Sequence, residues 1–235
     1  MAGQPDAAGG ASVLQLISFP QEARAEAAEG SFEPIADERV DERPQDGRPP
    51  FVARIEGLTL RLPSSEPVVV GFHEASTDGA LELTPVGVLV ANRNATRFDP
   101  PPDHPDGARY LVMASRGRPF PATSALDVVV RDDDPVLSPV SGTVTDVRSY
   151  YLYGQHLDHR VEIAPDDAPH LRLVVVHLDE PEVAAGDRVE AGTDVLAGSA
   201  LRFGFSSQID RDTEPDRWPH VHIEVKHEDT PRPGE

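Results

Sequence analysis

The chain has 235 residues and a hydrophobic fraction of 38%, enough for one large domain or two small domains with a real core. Its formal net charge of -20 argues against nucleic acid or an anionic membrane as a partner, because phosphate binding requires positive charge. The sequence contains no cysteine, which excludes disulfides and thiolate metal sites, so any metal must be held by His, Asp or Glu.

The first 50 residues are rich in Ala, Gly, Pro, Glu and Asp, which predicts a flexible acidic arm over 1–50. One short apolar run, at 13–17, interrupts this composition. The N-terminus lacks the basic and apolar regions of a secretory signal, and no stretch reaches the roughly 18 apolar residues that span a bilayer. We therefore expect a cytoplasmic protein without a membrane span, or an extracellular one if a leader is removed or export takes another route.

The composition changes at Phe51, where apolar and polar residues begin to alternate as in half-buried strands. Residues 51–107 are predicted to form an N-terminal β extension that ends in a proline-rich loop carrying His104. The expected strands of this extension lie at 51–55, 58–62, 68–72, 80–83 and 86–91.

Residues 108–227 are predicted to form the main domain, and 228–235 a short tail. Short strand candidates follow one another between Gly, Pro and Asp residues, and no convincing helical period of 3.6 appears. The predicted class is therefore mainly β, an antiparallel β-sheet or β-roll. The strand candidates lie at 110–115, 126–131, 136–137, 142–150, 159–164, 171–178, 188–190, 194–197 and 220–226.

Two histidines near the C-terminus, His220 and His222, are separated by one β-branched residue. Alternate side chains of a strand share a face, so both imidazoles are expected to stand side by side on rigid sheet. An isolated His-x-His favours a surface strand with two solvated histidines. The motifs upstream favour a site instead.

Five motifs in the same order resemble those of the lysostaphin-type (LytM-like) zinc metallopeptidases, which cut peptide bridges in bacterial cell walls. The resemblance covers roughly residues 108–227 and implies the β-roll of the duplicated-hybrid-motif type, zinc as cofactor and a peptidoglycan-type peptide as substrate. The motifs are Ser-Arg-Gly-Arg at 115–118, Pro-Val-Leu-Ser-Pro-Val-Ser-Gly-Thr-Val at 135–144, Val-Val-His-Leu at 175–178, Gly-Asp-Arg-Val at 186–189 and Pro-His-Val-His-Ile-Glu-Val at 219–225.

The resemblance implies that Asp127 and His222 are zinc ligands. It also implies that His177 and His220 are the imidazole pair that positions water and stabilises charge on the attacked carbonyl. The family's first ligand histidine is replaced here by Thr123. A neutral hydroxyl is a poor substitute for imidazole, so two ligands remain where a catalytic zinc needs three, and the site is incomplete by the family pattern.

Three residues are candidates for the missing ligand. His73 and Glu74 stand at the end of a buried-type strand, and His104 lies in the proline-rich loop. For His73, the simpler alternative is a strand-end histidine whose ring is satisfied by a backbone carbonyl. For His104, the simpler alternative is an exposed loop position.

Two functions remain open at this stage. The first is a degenerate member of the peptidase fold that binds a peptide or a partner protein in the former cleft and has a regulatory role. The second is an active zinc metalloendopeptidase acting on cell-wall-type peptides, with His73 as the substitute third ligand beside Asp127 and His222. The missing ligand favours the first function, and the survival of a carboxylate with three imidazoles favours the second.

Overall fold

The computed structural model describes residues 46–212 and 218–232, which form fourteen β-strands and one 3₁₀ helix. The prediction of a mainly β fold is confirmed. Most of the predicted arm, including the apolar run at 13–17, and the last three residues of the predicted tail lie outside the described residues. No helix in the described part of the chain has the length and apolarity that crossing a bilayer requires.

The strands are mostly short, and the longest fall in the second half of the chain. The first seven are β1 (Phe51–Ile55), β2 (Leu58–Arg61), β3 (Val69–His73), β4 (Thr84–Pro85), β5 (Gly87–Asn92), β6 (Ala108–Val112) and β7 (Ala125–Val129). The others are β8 (Val136–Leu137), β9 (Gly142–Leu152), β10 (His156–Pro165), β11 (Leu171–Pro181), β12 (Arg188–Val189), β13 (Val195–Ala200) and β14 (His220–His227), with the 3₁₀ helix at Ile209–Asp212.

The strands form two sheets. A small sheet has the order β2-β1-β4, and a large one has the order β12-β9-β10-β11-β14-β7-β3-β6-β5, with β13 paired to β11 and β8. Neighbours are antiparallel except for the parallel pairs of β6 with β3 and with β5. The segment predicted as an extension thus contributes β3, which pairs directly with β7 in the large sheet. Residues 80–83, predicted as a strand, lie outside the strands.

The centre of the large sheet is buried on both faces. Every residue of β7 is buried, and so are the first six of β11. Continuous burial along a strand is typical of strands covered on both sides, whereas β2 alternates buried and half-buried residues. Asp127 on β7 and its partner His222 on β14 stand in this part of the sheet.

One row of directly paired residues runs across five strands of the large sheet. Residues directly opposite one another in a sheet point to the same face, and neighbouring strands lie about 4.8 Å apart. The row therefore places two arginines and two candidate metal ligands on one face of the sheet. In order from β9 to β7, its members are Arg148, Arg160, Val176, His222 and Asp127.

The first residue of β5, Gly87, is a position where the fold requires glycine. Its φ is 135°, and a Cβ there would lie 1.7 Å from the carbonyl oxygen of Ala108. We expect Gly87→Ala to lower the free energy of unfolding by at least about 2 kcal/mol, measured by urea denaturation. Gly154→Ala is the matched control, because Gly154 also has a positive φ but nothing within 4 Å of its Cβ position. Equal losses in the two variants would contradict the steric explanation.

Candidate metal centre

Three strands bring His73, Asp127 and His222 together. His222 on β14 is directly opposite Asp127 on β7, and His73 at the end of β3 is opposite Ala125, two residues along β7 from Asp127. One potential ligand atom from each side chain lies within 4.8 Å of the other two. The structure thus gathers the three residues that the sequence suggested as ligands.

The ring of His73 is buried and is oriented by its own backbone. Its Nδ1 lies 2.8 Å from the carbonyl oxygen of Glu74, to which it donates as N–H. Its Nε2 lies 3.1 Å from Oδ1 of Asp127 and is a buried atom without a hydrogen-bond partner in the described part of the chain. Metal-bound histidines commonly donate their second ring N–H to a carbonyl in this way. The backbone carbonyl therefore satisfies one nitrogen and leaves the other facing the carboxylate.

His222 is held between two carboxylates. Its Nδ1 lies 2.8 Å from Oδ1 of Asp127, and its Nε2 lies 3.2 Å from Oε1 of Glu224. Burial alone would lower the pKa of His222, but the hydrogen bonds to both carboxylates raise it to about 10. Burial would likewise raise the pKa of Asp127, but His73 and His222 hold it well below its usual range. The carboxylate of Asp127 is therefore ionised and available as a ligand.

Glu224 is fixed by the only lysine of the chain. Nζ of Lys226 lies 3.2 Å from Oε2 of Glu224 and 2.6 Å from Oγ1 of Thr77, and the Thr77 hydroxyl also donates to Glu224. Burial would raise the pKa of Glu224, but His222 and Lys226 lower it to about 2. An ionised Glu224 orients the His222 ring in the manner of outer-shell carboxylates beside metal ligands.

The other candidates for the third ligand are directed elsewhere. The Thr123 hydroxyl is buried and donates to the carbonyl oxygen of Leu83 at 2.7 Å. The Glu74 carboxylate accepts hydrogen bonds from Ser115 at 2.5 Å and from Arg97. Nε2 of His104 lies 3.5 Å from a guanidinium nitrogen of Arg54. Among the described residues, His73 is thus the only one of these candidates that joins Asp127 and His222.

His177 projects from a bulge in β11. His159 of β10 pairs with Leu178 and Arg160 pairs with Val176, so His177 is the additional residue of the bulge. Its φ is 69°, which is unusual for a residue other than glycine. Bulges re-aim side chains and occur often beside active sites. Here the bulge directs the His177 ring into the cleft that contains His222, with the two ring centroids 5.7 Å apart.

Asp158 orients the His177 ring through a hydrogen bond. It is fully buried, and its Oδ2 lies 2.7 Å from Nδ1 of His177 and accepts the hydroxyl of Tyr150. Its Oδ1 accepts the backbone N–H groups of His177 at 2.9 Å and His159 at 2.7 Å. Burial would raise the pKa of Asp158, but these hydrogen bonds keep it below the usual value. The sequence did not single out Asp158, because polar residues are expected near a hairpin.

His220 completes the group of imidazoles. Its ring centroid lies 5.1 Å from that of His177 and 6.0 Å from that of Phe203. Burial lowers the pKa of His220 to about 4, so the ring is neutral near pH 7. The pair that the resemblance implied is therefore adjacent in space, with one ring tied to a carboxylate and the other neutral.

These side chains line one cleft with a volume of about 530 Å³. Phe203 and Phe205 stack on each other at 5.0 Å and, with Tyr150 and Tyr153, give the cleft aromatic walls. Six residues of the segment 203–211 line the cleft. Trp218 packs against the cluster of Leu111, Met113, Val129 and Ile209.

The fold and the site together define a mainly β protein with a candidate two-histidine, one-carboxylate metal centre at the base of a cleft. Neither a family model nor a curated protein matches this chain. Among solved structures, the chain is similar to lysostaphin, studied by NMR in solution, with 21% identity and a TM-score of 0.34 over 46% of this chain and 38% of that chain.

Two further structures are similar to the chain at the same level. A zinc-containing peptidase from Vibrio cholerae shows 22% identity and a TM-score of 0.30 over 44% of this chain and 26% of that chain. A mutant catalytic domain of the prophage-encoded M23 protein EnpA from Enterococcus faecalis shows 20% identity and a TM-score of 0.33 over 47% of this chain and 75% of that chain. The chain thus spans well under half of lysostaphin and of the Vibrio peptidase.

Proposed function

We propose that the chain is a zinc-dependent peptide hydrolase with the lysostaphin-type motifs, in which His73 replaces the missing ligand histidine. The observation that carries the proposal is the convergence of His73, Asp127 and His222 within 4.8 Å, with the buried Nε2 of His73 directed at Asp127. The threonine at the motif position, Thr123, then does not prevent a three-ligand site, because His73 on the neighbouring strand β3 supplies the second histidine.

The donor set fits zinc in a catalytic role. Two imidazoles and one carboxylate form a ligand set found in zinc hydrolases, and three protein ligands leave the fourth position open. Because the pKa of His222 is raised to about 10, zinc binding would have to displace one proton from its ring. Zinc held there would supply a Lewis acid that polarises a peptide carbonyl and makes water acidic near neutral pH. The protein supplies the rigid strands, the orientation of His73 by the Glu74 carbonyl and the orientation of His222 by Glu224.

His177 is suited to move the proton. With Nδ1 bound to Asp158, its Nε2 is free to accept a proton from the attacking water, and the carboxylate stabilises the imidazolium that results. His220 is neutral near pH 7 and offers a hydrogen bond without adding charge. The two rings together position the water and the attacked carbonyl.

A specific observation supports a second candidate, a peptide-binding regulatory module without turnover. The motif position Thr123 is buried and bonded to the Leu83 carbonyl, so the family's own first ligand is lost. A cleft that holds a peptide does not require the metal to be reactive. The two candidates differ in turnover, and the following experiment separates them.

The test combines metal binding with hydrolysis. The protein is stripped with a chelator and titrated with zinc against a chromophoric competitor, and the zinc-loaded protein is then incubated with a pentaglycine peptide and with purified peptidoglycan. We expect one zinc per chain and new amino groups released from one of these substrates. One zinc with peptide binding but no released amine would favour the regulatory module. Failure to bind zinc at micromolar metal would contradict the proposed centre.

A further inference from the structure

The cleft has the opposite charge to the rest of the protein. The chain carries 41 acidic against 21 basic residues. The side chains that line the cleft include five arginines but two carboxylates, those of Asp127 and Glu224, and both of these are bound to His222. A cleft lined by cationic side chains focuses positive electrostatic potential and so attracts an anionic ligand, even in a strongly acidic protein. The five arginines are Arg116, Arg118, Arg148, Arg160 and Arg211.

Two of the five arginines are neutralised by the protein itself. Arg148 lies 2.7 Å from Asp146 and 3.3 Å from Glu162, and Arg160 lies 2.5 Å from the same Glu162. Glu162 is fully buried, whereas Arg148 and Asp146 are half-buried. Arg148 and Arg160 are therefore part of the framework of the cleft floor.

The remaining three, Arg116, Arg118 and Arg211, are called here the arginine wall. Within residues 46–212 and 218–232, none of them has a carboxylate partner. Arg116 donates to the side-chain oxygen of Gln208 at 3.2 Å, and Arg118 donates to the carbonyl oxygen of Glu74 at 2.8 Å. Neutral acceptors orient a guanidinium group without forming an ion pair, and the charges of Asp127 and Glu224 act on Arg118 from across the cleft. Among the described side chains that line the cleft, the wall therefore supplies the arginines that form no ion pair.

One member of the arginine wall, Arg118, lies beside the candidate metal centre. The carbonyl oxygen of Glu74 that accepts from Arg118 also accepts from Nδ1 of His73. The side-chain amide of Gln208 donates to the carbonyl of Ala114 at 3.1 Å and so ties the loop of Arg211 to the loop of Arg116. These bonds place the segments of Arg116 and Arg211 side by side in the cleft lining, and Arg118 lies beside the candidate metal centre.

We propose that the arginine wall binds a carboxylate of the peptide in the cleft, so that the preferred ligands are acidic peptides. Guanidinium groups pair with carboxylates through two parallel hydrogen bonds, which provides affinity and orientation. The inference rests on the proposed function in taking a peptide as the occupant. An acidic side chain and a free C-terminus offer the same chemistry, and the experiment distinguishes them.

The experiment measures binding of three dansyl-labelled hexapeptides of Gly and Ala to the full chain, with and without zinc. The first peptide contains two Glu residues and a C-terminal amide, the second has Gln in place of Glu and a free C-terminus, and the third has Gln and an amide. We expect at least one carboxylate peptide to bind roughly tenfold more tightly than the neutral peptide, with the difference shrinking at high salt. The peptide that shows the preference identifies the source of the carboxylate.

Two double variants test whether the arginine wall causes the preference for carboxylate peptides. Arg116→Gln with Arg211→Gln is expected to reduce the affinity for the carboxylate peptide to the level of the neutral one. Arg54→Gln with Arg109→Gln is the matched control, because it removes the same charge from exposed positions outside the cleft lining and should bind like the original chain. Equal loss in both variants, no loss in the cleft variant, or no binding by any peptide would overturn the inference.

The zinc-free measurement separates this inference from the proposed function. A preference for the carboxylate peptide that persists without zinc, and is lost in the cleft variant, supports the wall even if hydrolysis fails. Hydrolysis of neutral peptides without any preference supports the proposed function but contradicts the wall. A preference that appears only with zinc, and is unchanged in the cleft variant, assigns the carboxylate to the metal and also contradicts the wall.

Discussion

His73→Ala is expected to lower the affinity for zinc by more than about 100-fold, because it removes one of three protein ligands and leaves a carboxylate and one imidazole. Loss of an outer partner of a ligand already costs roughly 10- to 100-fold, so loss of a ligand must cost more. The measurement is the same competitive zinc titration on the variant. Its physical basis is the buried Nε2 of His73, 3.1 Å from Asp127.

His104→Ala is the control for this prediction. His104 was also a sequence candidate for the third ligand, but its ring lies beside Arg54. Its removal is expected to leave the zinc affinity unchanged. Tight stoichiometric zinc in His73→Ala, or its loss in His104→Ala, would refute the role of His73.

His177→Ala is expected to lower the turnover number by roughly 100- to 10,000-fold while zinc remains bound, because this ring transfers the proton and is not a ligand. Asp158→Asn should lower turnover in the same direction, since an amide no longer stabilises the imidazolium of His177. The measurement is the rate of amine release at saturating peptide, with the zinc content determined on the same samples.

The neighbouring His159 provides the control for this second prediction. Its Nδ1 contacts the carbonyl of Leu178 at 2.9 Å, and it does not line the cleft. His159→Ala is therefore expected to retain most of the activity. If His177→Ala loses the metal, or if His159→Ala is as inactive as His177→Ala, the assigned roles are wrong.

The positions of most strands after residue 124 were accessible from the sequence, but their order in the sheet was not. Short apolar segments between Gly, Pro and Asp residues gave the positions of β7 to β14 within a few residues, because these features are local. The pairing of β3 with β7 was not accessible, since it depends on contacts between residues more than 50 positions apart in the chain. His73 was therefore one of three candidates, and its place beside Asp127 became evident only from the fold.

Asp158 shows a second limit of the sequence. With Arg160 and Glu162, it follows the alternation of a strand, opposite to the apolar positions Val161 and Ile163. The pattern predicts a polar face, and such faces are usually exposed. Here all three polar residues are buried: Asp158 is bonded to His177 and Tyr150, and Arg160 forms an ion pair with Glu162. The only local indication of a site was that these three charged residues occupy every second position of the sequence, close to histidines.

Thr123 illustrates the opposite case. The sequence showed correctly that a histidine is absent from the motif position, and this favoured a degenerate module. The structure gives a physical context for the change: the hydroxyl is bonded to Leu83, and a histidine from β3 stands at the carboxylate instead. A motif read position by position does not reveal a candidate ligand that lies on another strand.

Anomalous diffraction at the zinc absorption edge, from crystals of the full chain grown with zinc, tests the central claim most directly. We expect one strong peak in the cleft, about 2.0–2.2 Å from Nε2 of His73, a carboxylate oxygen of Asp127 and a ring nitrogen of His222. A peak that excludes His73, or zinc found only outside the cleft, would contradict the proposed centre.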